Sequence, residues 1–414
     1  MRRVVVTGIG ALTPIGNNVA EYLESLQNGK SGIATITHFD ASNFKTQIAG
    51  EVKGFNPELY FERKDVRKND RFTQFAIAST DEALKDSALD LETIDLNRVG
   101  VIFGSGIGGL GTLENEIADY AKGSGTPRFN PFMIPKMISN MAGGMIAIRH
   151  GFGGVNYAPV SACATSSHAI INAFDYIRMG RADIIVSGGS EAVVTSTAIG
   201  GFTSMRAMSE RNDEPTKASR PYDKERDGFV LGEGSGTLIL EEYEHAVARG
   251  AKIYCEIVGA GMSCDAYHMS APHPDGLGVI RCMEEALRDA KIEKTDVDYI
   301  NTHGTSTPLG DNAELKAIIA VFGEAAYDIN ISSTKSMTGH LLGAAGAIEA
   351  IAGILAMTHS FIPPTINHFT DDPEIDPKLN LTFNEAQQRK VDVVLSNTFG
   401  FGGHNTSLIF KKIF

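Results

Sequence analysis

Two stretches of this chain, one in each half, are apolar around nearly their whole circumference when wound as helices. The first begins at Cys163 and carries Ala169, Ile170, Ala173, Phe174 and Ile177 before Gly180 stops it; the second covers residues 341–358. A helix that is apolar all round must be covered on every side. The second stretch holds Glu349 and follows His340, so it reads as a core helix rather than a membrane span. Around these two, β-rich runs at 4–8, 99–103, 183–187, 253–259, 299–302, 329–333 and 391–396 alternate with helical patterns at 71–84, 277–290 and 313–322. The pattern is α/β. It predicts paired central helices with sheets outside them. A break at Arg249-Gly250-Ala251 divides the chain into two halves, 1–250 and 251–414, with no low-complexity linker, so both are expected in one body.

Composition removes several classes. The four cysteines (Cys163, Cys255, Cys264, Cys282) form no CxxC pair, which argues against a disulfide framework or a structural metal site. A net charge of −13 argues against general affinity for nucleic acid or anionic membranes. The N-terminus enters a strand-like run at once, and a cytoplasmic protein is expected.

The chemistry gathers at strand ends. Val160-Ser161-Ala162-Cys163-Ala164-Thr165-Ser166-Ser167-His168 places a cysteine at the first turn of a helix, where the dipole and free N–H groups favour thiolate. Its small neighbours leave room for an approaching group. Asn301-Thr302-His303-Gly304-Thr305-Ser306-Thr307 puts a histidine at the end of a strand, and Lys335-Ser336-Met337-Thr338-Gly339-His340 puts another at the mouth of the second buried helix. Phe399-Gly400-Phe401-Gly402-Gly403-His404 is a glycine loop that frees backbone N–H groups. Together these supply a nucleophile, two neutral donors, a cation and an oxyanion pocket, as acyl transfer through a thioester requires. The run Gly104-Ser105-Gly106-Ile107-Gly108-Gly109 matches GxGxxG, but no second strand and acidic residue follow at dinucleotide spacing.

With these motifs in this order, the sequence resembles the β-ketoacyl-[acyl carrier protein] synthases, in particular the elongating condensing enzymes of type II fatty acid synthesis. The resemblance runs from Val4-Val5-Val6-Thr7-Gly8 to Ser407-Leu408-Ile409-Phe410. It includes Ser219-Arg220-Pro221-Tyr222-Asp223-Lys224-Glu225-Arg226-Asp227-Gly228-Phe229 and Tyr267-His268-Met269. It implies a thiolase-like, five-layered α-β-α-β-α fold of two similar halves, assembled as a homodimer. It implies that Cys163 carries the acyl chain and that His303 and His340 assist decarboxylation of a malonyl group. The N–H groups of Cys163 and Phe401 would hold the oxyanion. Lys335 would pair with Glu314 and organise the site, with Asp311 and Glu349 in support.

By the same resemblance, Ile107 and Phe401 gate the acyl pocket, Phe399 lies beside it, and Met133 reaches in from the partner subunit. Thr305 and Thr307 bind the pantetheine arm, and Ser270 and Arg206 also contact substrate. The basic residues Arg63, Lys64, Arg67, Lys68, Arg128 and Arg206 would dock the acidic carrier protein. No cofactor is required, although Asn301, Glu349, Ser396 and Asn397 match positions that hold a monovalent cation in some relatives; a Glu349–Lys335 pair is an equally good account of Glu349. A thiolase would need a second cysteine in the glycine loop, and an initiating synthase an asparagine where His340 stands. A silent chain-length-factor-like subunit would lack Cys163.

Overall fold

Ten strands hydrogen-bond into one sheet in a computed structural model that describes residues 1–413. The first part of the chain contributes β1 (Val4–Leu12), β2 (Val99–Gly104), β3 (Asn156–Tyr157), β4 (Ile184–Glu191) and β5 (Gly234–Glu242). The second contributes β6 (Cys255–Cys264), β7 (Tyr299–Asn301), β8 (Asn330–Ser332), β9 (Val393–Gly400) and β10 (His404–Lys411). Their order is β8-β7-β9-β10-β6-β1-β5-β4-β2-β3. Read outward from the antiparallel β1–β6 pair, the two arms repeat one pattern. In each arm two antiparallel pairings (β1–β5–β4 and β6–β10–β9) are followed by two parallel ones (β4–β2–β3 and β9–β7–β8).

Six helices repeat in step with the strands. They are α1 (Arg71–Ser87), α2 (Met141–His150), α3 (Thr165–Arg178), α4 (Leu277–Ala290), α5 (Pro308–Phe322) and α6 (Ala345–His359). The parallel β2–β3–β4 and β7–β8–β9 connections pass through helices, as parallel crossovers require. Helices α3 and α6 pack against each other between the two arms, and their Ile170, Phe174, Ile351 and Leu355 lie in one core. Helix α1 covers β1 and β5 on one outer face, while α4 covers β6 and β10 on the other. The result is the five-layered arrangement expected. Residues 342–359 are apolar and long enough to cross a membrane, but 89% of that stretch is buried inside the protein, so it is a core helix.

Both central helices start later than their apolar pattern predicts. Each is preceded by a separate 3-10 turn, Ala162–Ala164 before α3 and Leu342–Ala344 before α6. Ala162 (φ 51°) and Leu342 (φ 46°) occupy the left-handed region, which breaks the helix and turns the chain sharply at the same place in each half. Strands β1, β4, β6 and β9 run farther than expected, and β3, β5 and β10 were not foreseen.

Candidate active site

The 3-10 turn that follows β3 carries Cys163. Thr165 Oγ1 accepts from the Ser161 N–H (2.9 Å) and donates to the Ala162 carbonyl (2.7 Å), which pins the left-handed Ala162 between them. His340 stands just before the corresponding turn of α6. Its N–H donates to the Val230 carbonyl (2.7 Å), and its carbonyl accepts from the Gly232 N–H (2.9 Å). His303 follows β7, where the Glu314 carboxylate accepts its N–H (3.0 Å) and that of Gly304 (2.9 Å). Gly400, at the end of β9, lies against the nucleophile turn; a Cβ there would sit 2.7 Å from the Ser161 carbonyl oxygen and 3.1 Å from the Cys163 nitrogen.

These elements bring the three reactive groups together. His340 Nε2 is 3.0 Å from Cys163 Sγ, and one ligand atom from each of Cys163, His303 and His340 lies within 4.8 Å of the others. The two imidazole rings meet edge to face at 5.1 Å, and Phe399 packs on His303 at 5.6 Å. The Phe401 N–H is close enough to Cys163 to favour its thiolate form. Burial drives both imidazoles well below their ordinary pKa, and the Lys335 charge adds to the effect. Both are therefore neutral, as hydrogen-bond donors to a developing enolate must be.

The thiolate expected at Cys163 is not the resting state. Burial pushes its thiol up to about 12, against the opposing pull of Lys335 and the Phe401 N–H. Cys163 is only 6% exposed and precedes α3 rather than lying within its first turn, so desolvation outweighs the helix end. The resting contact is therefore between a thiol and a neutral imidazole, and the tautomer of His340 decides which of the two donates.

Of the two carboxylates expected as partners for Lys335, its ammonium pairs with Glu349, not Glu314, and both partners are buried. Glu314 has no need of a cation because it accepts two backbone N–H groups and Asn397 Nδ2 (3.3 Å); burial raises its pKa to about 7. Asp311 accepts the Tyr222 N–H (3.1 Å) and lies 3.3 Å from the Arg226 guanidinium, with burial raising its pKa to about 6.

A cavity of about 540 Å³ opens from Cys163, His303 and His340. Ile107, Phe399, Phe401, Thr305, Thr307, Ser270 and Arg206 all line it, and the Thr305 and Thr307 hydroxyls lie 3.0 Å apart. Met133 does not line the cavity of its own chain; it begins a short helix, Met133–Met137. Arg63, Lys64, Arg67, Lys68 and Arg128 are exposed. Two buried oxygens of the matched cation positions, Asn301 Oδ1 and Glu349 Oε2, have no hydrogen-bond partner among the described residues. Oxygen donors of this kind fit a hard cation. Asn397 Oδ1 instead accepts from Ser407 (2.7 Å), and Ser396 is buried in β9. Sequence reasoning missed Phe202 and Leu342 in the cavity wall, and Glu191 beneath it. No spacing marks Phe202, which follows two glycines in a short helix.

Family comparison agrees with this geometry over nearly the whole chain. The family model described as the β-ketoacyl synthase N-terminal domain matches residues 1–246, and that for the C-terminal domain matches residues 254–369. The chain belongs to the β-ketoacyl synthase family. This synthase is 50% identical to the 3-oxoacyl-[acyl-carrier-protein] synthase 2 of Synechocystis, over 99% of this chain and 98% of that protein. It is 49% identical to the protein of the same name from Coxiella burnetii, over 100% of this chain and 99% of that one. Among solved structures, a β-ketoacyl synthase from Burkholderia phymatum superposes with a TM-score of 0.92 at 36% identity, covering both chains fully. A type II polyketide ketosynthase solved in complex with its acyl-carrier protein gives 0.91 at 36% identity, again over both whole chains.

Proposed function

We propose that this synthase catalyses the decarboxylative Claisen condensation of fatty acid elongation. An acyl group passes from acyl-carrier protein to the Cys163 sulfur, and the carrier thiol leaves with the cysteine proton. Malonyl-carrier protein then loses CO2, and the electron pair of the broken C–C bond becomes an enolate held by the His303 and His340 N–H donors. Its carbon attacks the acyl-Cys163 carbonyl, whose oxyanion lies toward the Cys163 and Phe401 N–H groups. Collapse expels the Cys163 thiolate, which is reprotonated, and releases 3-oxoacyl-carrier protein two carbons longer.

The observation that carries this reading is the cluster itself: one thiol and two neutral imidazoles within 4.8 Å at the end of a mostly apolar cavity. Preorganised neutral donors in a water-poor site are suited to an enolate, which an adjacent carboxylate would oppose. No cofactor takes part in these steps. A monovalent cation at Asn301, Glu349, Ser396 and Asn397 would be structural, supporting the loop ends on which His303 and Phe399 stand.

The partner is acyl-carrier protein, whose acidic surface suits the exposed Arg63, Lys64, Arg67, Lys68, Arg128 and Arg206. The synthase acts in the cytoplasm as a homodimer, with Met133 entering the pocket of the partner subunit and the halves 1–250 and 251–414 forming the units of each protomer. Incubation with acyl-carrier protein, digestion and mass spectrometry test the assignment. An acyl mass is expected on the Cys163 peptide; an acyl mass only on a peptide lacking Cys163 refutes it.

A further inference from the structure

Glu191 ends β4 in complete burial beneath the cavity, and no step above uses it. Its carboxylate accepts four hydrogen bonds. Oε1 takes the Ser105 hydroxyl (2.8 Å) and the Ile107 N–H (3.1 Å), while Oε2 takes the N–H groups of Gly106 (2.8 Å) and Gly343 (2.9 Å). Ser105 Oγ in turn accepts the Gly108 N–H (2.9 Å). The amides of the GxGxxG run are thus directed at an internal anion. Two of its contacts demand glycine, because a Cβ would fall 2.8 Å from Oε2 at Gly106 and 2.7 Å at Gly343. All four partners are donors, which suits a carboxylate; burial nonetheless raises the Glu191 pKa, and the four hydrogen bonds oppose that rise.

The two loops tied here face the same cavity from opposite halves. Ile107 lines it beside Cys163 and is 37% exposed, held by its backbone rather than by packing all round. Gly343 lies in the turn between His340 and α6. We infer that Glu191 is a positioning residue that holds Ile107 against the acyl cavity and so sets how the enzyme discriminates short from long acyl chains. The inference rests on the condensation reading above.

Glu191→Gln tests it with almost no change in volume. An amide has one acceptor oxygen and one NH2, so in either orientation the NH2 opposes two of the four donors. The measurement is kcat/KM for acylation of Cys163, by intact mass, with four-carbon and twelve-carbon acyl-carrier proteins. The ratio of the two values is expected to change by about fivefold or more, the scale on which pocket contacts discriminate apolar chains. Ser105→Ala removes one donor and should move the ratio the same way by less. A Glu191→Gln enzyme slowed equally for both chains, with its ratio unchanged, overturns the inference, since general loosening of the fold acts on both alike. If Glu191→Gln does not fold, Ser105→Ala decides: an altered ratio supports the inference and a parental one overturns it. A parent enzyme that neither substrate acylates refutes the condensation reading instead.

Discussion

His340 Nε2 lies 3.0 Å from Cys163 Sγ; Cys163 sits in the turn before α3 and His340 just ahead of the corresponding turn before α6, one from each half of the chain. With its proton on Nδ1, His340 accepts from the resting thiol; with its proton on Nε2, the tautomer needed once Cys163 is acylated, it donates to the malonyl oxygen beside His303. Cys163→Ala should therefore yield no acyl-enzyme by mass spectrometry. His303→Ala and His340→Ala should each lower malonyl decarboxylation by about 10²–10³-fold, the usual cost of removing one donor from a charge-stabilising site. His340→Ala should also slow acylation, whereas His303→Ala should leave it near the parental rate. Normal condensation by either variant contradicts the roles assigned.

The depressed imidazole pKa values set the acid side of the pH profile. A histidine with an ordinary pKa of about 6.5 loses roughly fourfold in its neutral fraction between pH 7.5 and 6.0. His303 and His340 are held well below that value, chiefly by burial, so both keep their N–H donors neutral across this range. Decarboxylation should fall less than about twofold on acidification from pH 7.5 to 6.0. At the alkaline side, Cys163 with a pKa near about 12 should show no ultraviolet thiolate absorbance, relative to Cys163→Ala, at pH 7.5. A thiolate signal there would mean that the helix end wins over burial after all.

Gly400→Ala should damage chemistry more than stability. The added methyl would press on the Ser161 carbonyl at 2.7 Å and on the Cys163 and Ala164 nitrogens at 3.1 Å. The nucleophile turn or the end of β9 must then give by several tenths of an ångström, and the Phe401 N–H moves with the strand. A misplacement of about 1 Å costs about 10²-fold in rate, so this smaller shift should cost about tenfold. Acylation should drop by that order while the thermal midpoint shifts by only a few degrees; equal acylation rates would show that the turn yields freely.

The central helices were legible because an all-round apolar pattern has one solution, and the strands beside them because they are β-branched and bounded by turns. Strands β5 and β10 were not, because their sequences obey contacts made far along the chain. Gly236 in β5 looks like a strand breaker, yet a Cβ there would lie 2.9 Å from the Ile348 nitrogen, so α6 requires the glycine. The site divides in the same way. Cys163, His303 and His340 were readable from local motifs, and the structure brings them together. The dipole effect on Cys163 is a local property, whereas the burial that overrides it depends on the whole fold. Lys335 was expected beside Glu314, but the choice between two carboxylates depends on α6, which presents Glu349.

That buried pair makes a stability prediction of its own. Removing either partner leaves an uncompensated charge in the core, so Lys335→Ala and Glu349→Ala should each cost about 3–5 kcal/mol in denaturant unfolding. Lys335→Met combined with Glu349→Leu should cost less than either single variant, because the double change leaves no lone charge behind. Additive losses would show that the two residues act independently.

The basic stretch divides by how far its charges are already satisfied. Lys64 pairs with Glu62 at 2.8 Å, Lys68 with Asp65 at 2.7 Å, and Arg63 approaches Glu58 at 3.8 Å. Arg67 is exposed and has no carboxylate partner among the described residues, so its full charge is available to an acidic surface. Arg67→Glu should raise KM for malonyl-carrier protein by about tenfold at low salt, the effect of one reversed rim charge, and by less as salt screens it. Lys68→Glu should act more weakly, because Lys68 has a partner that already offsets it. Decarboxylation of a small malonyl thioester without the carrier protein should be unchanged in both variants, which separates docking from chemistry; an equal loss with the small thioester would place Arg67 in the active site's support instead.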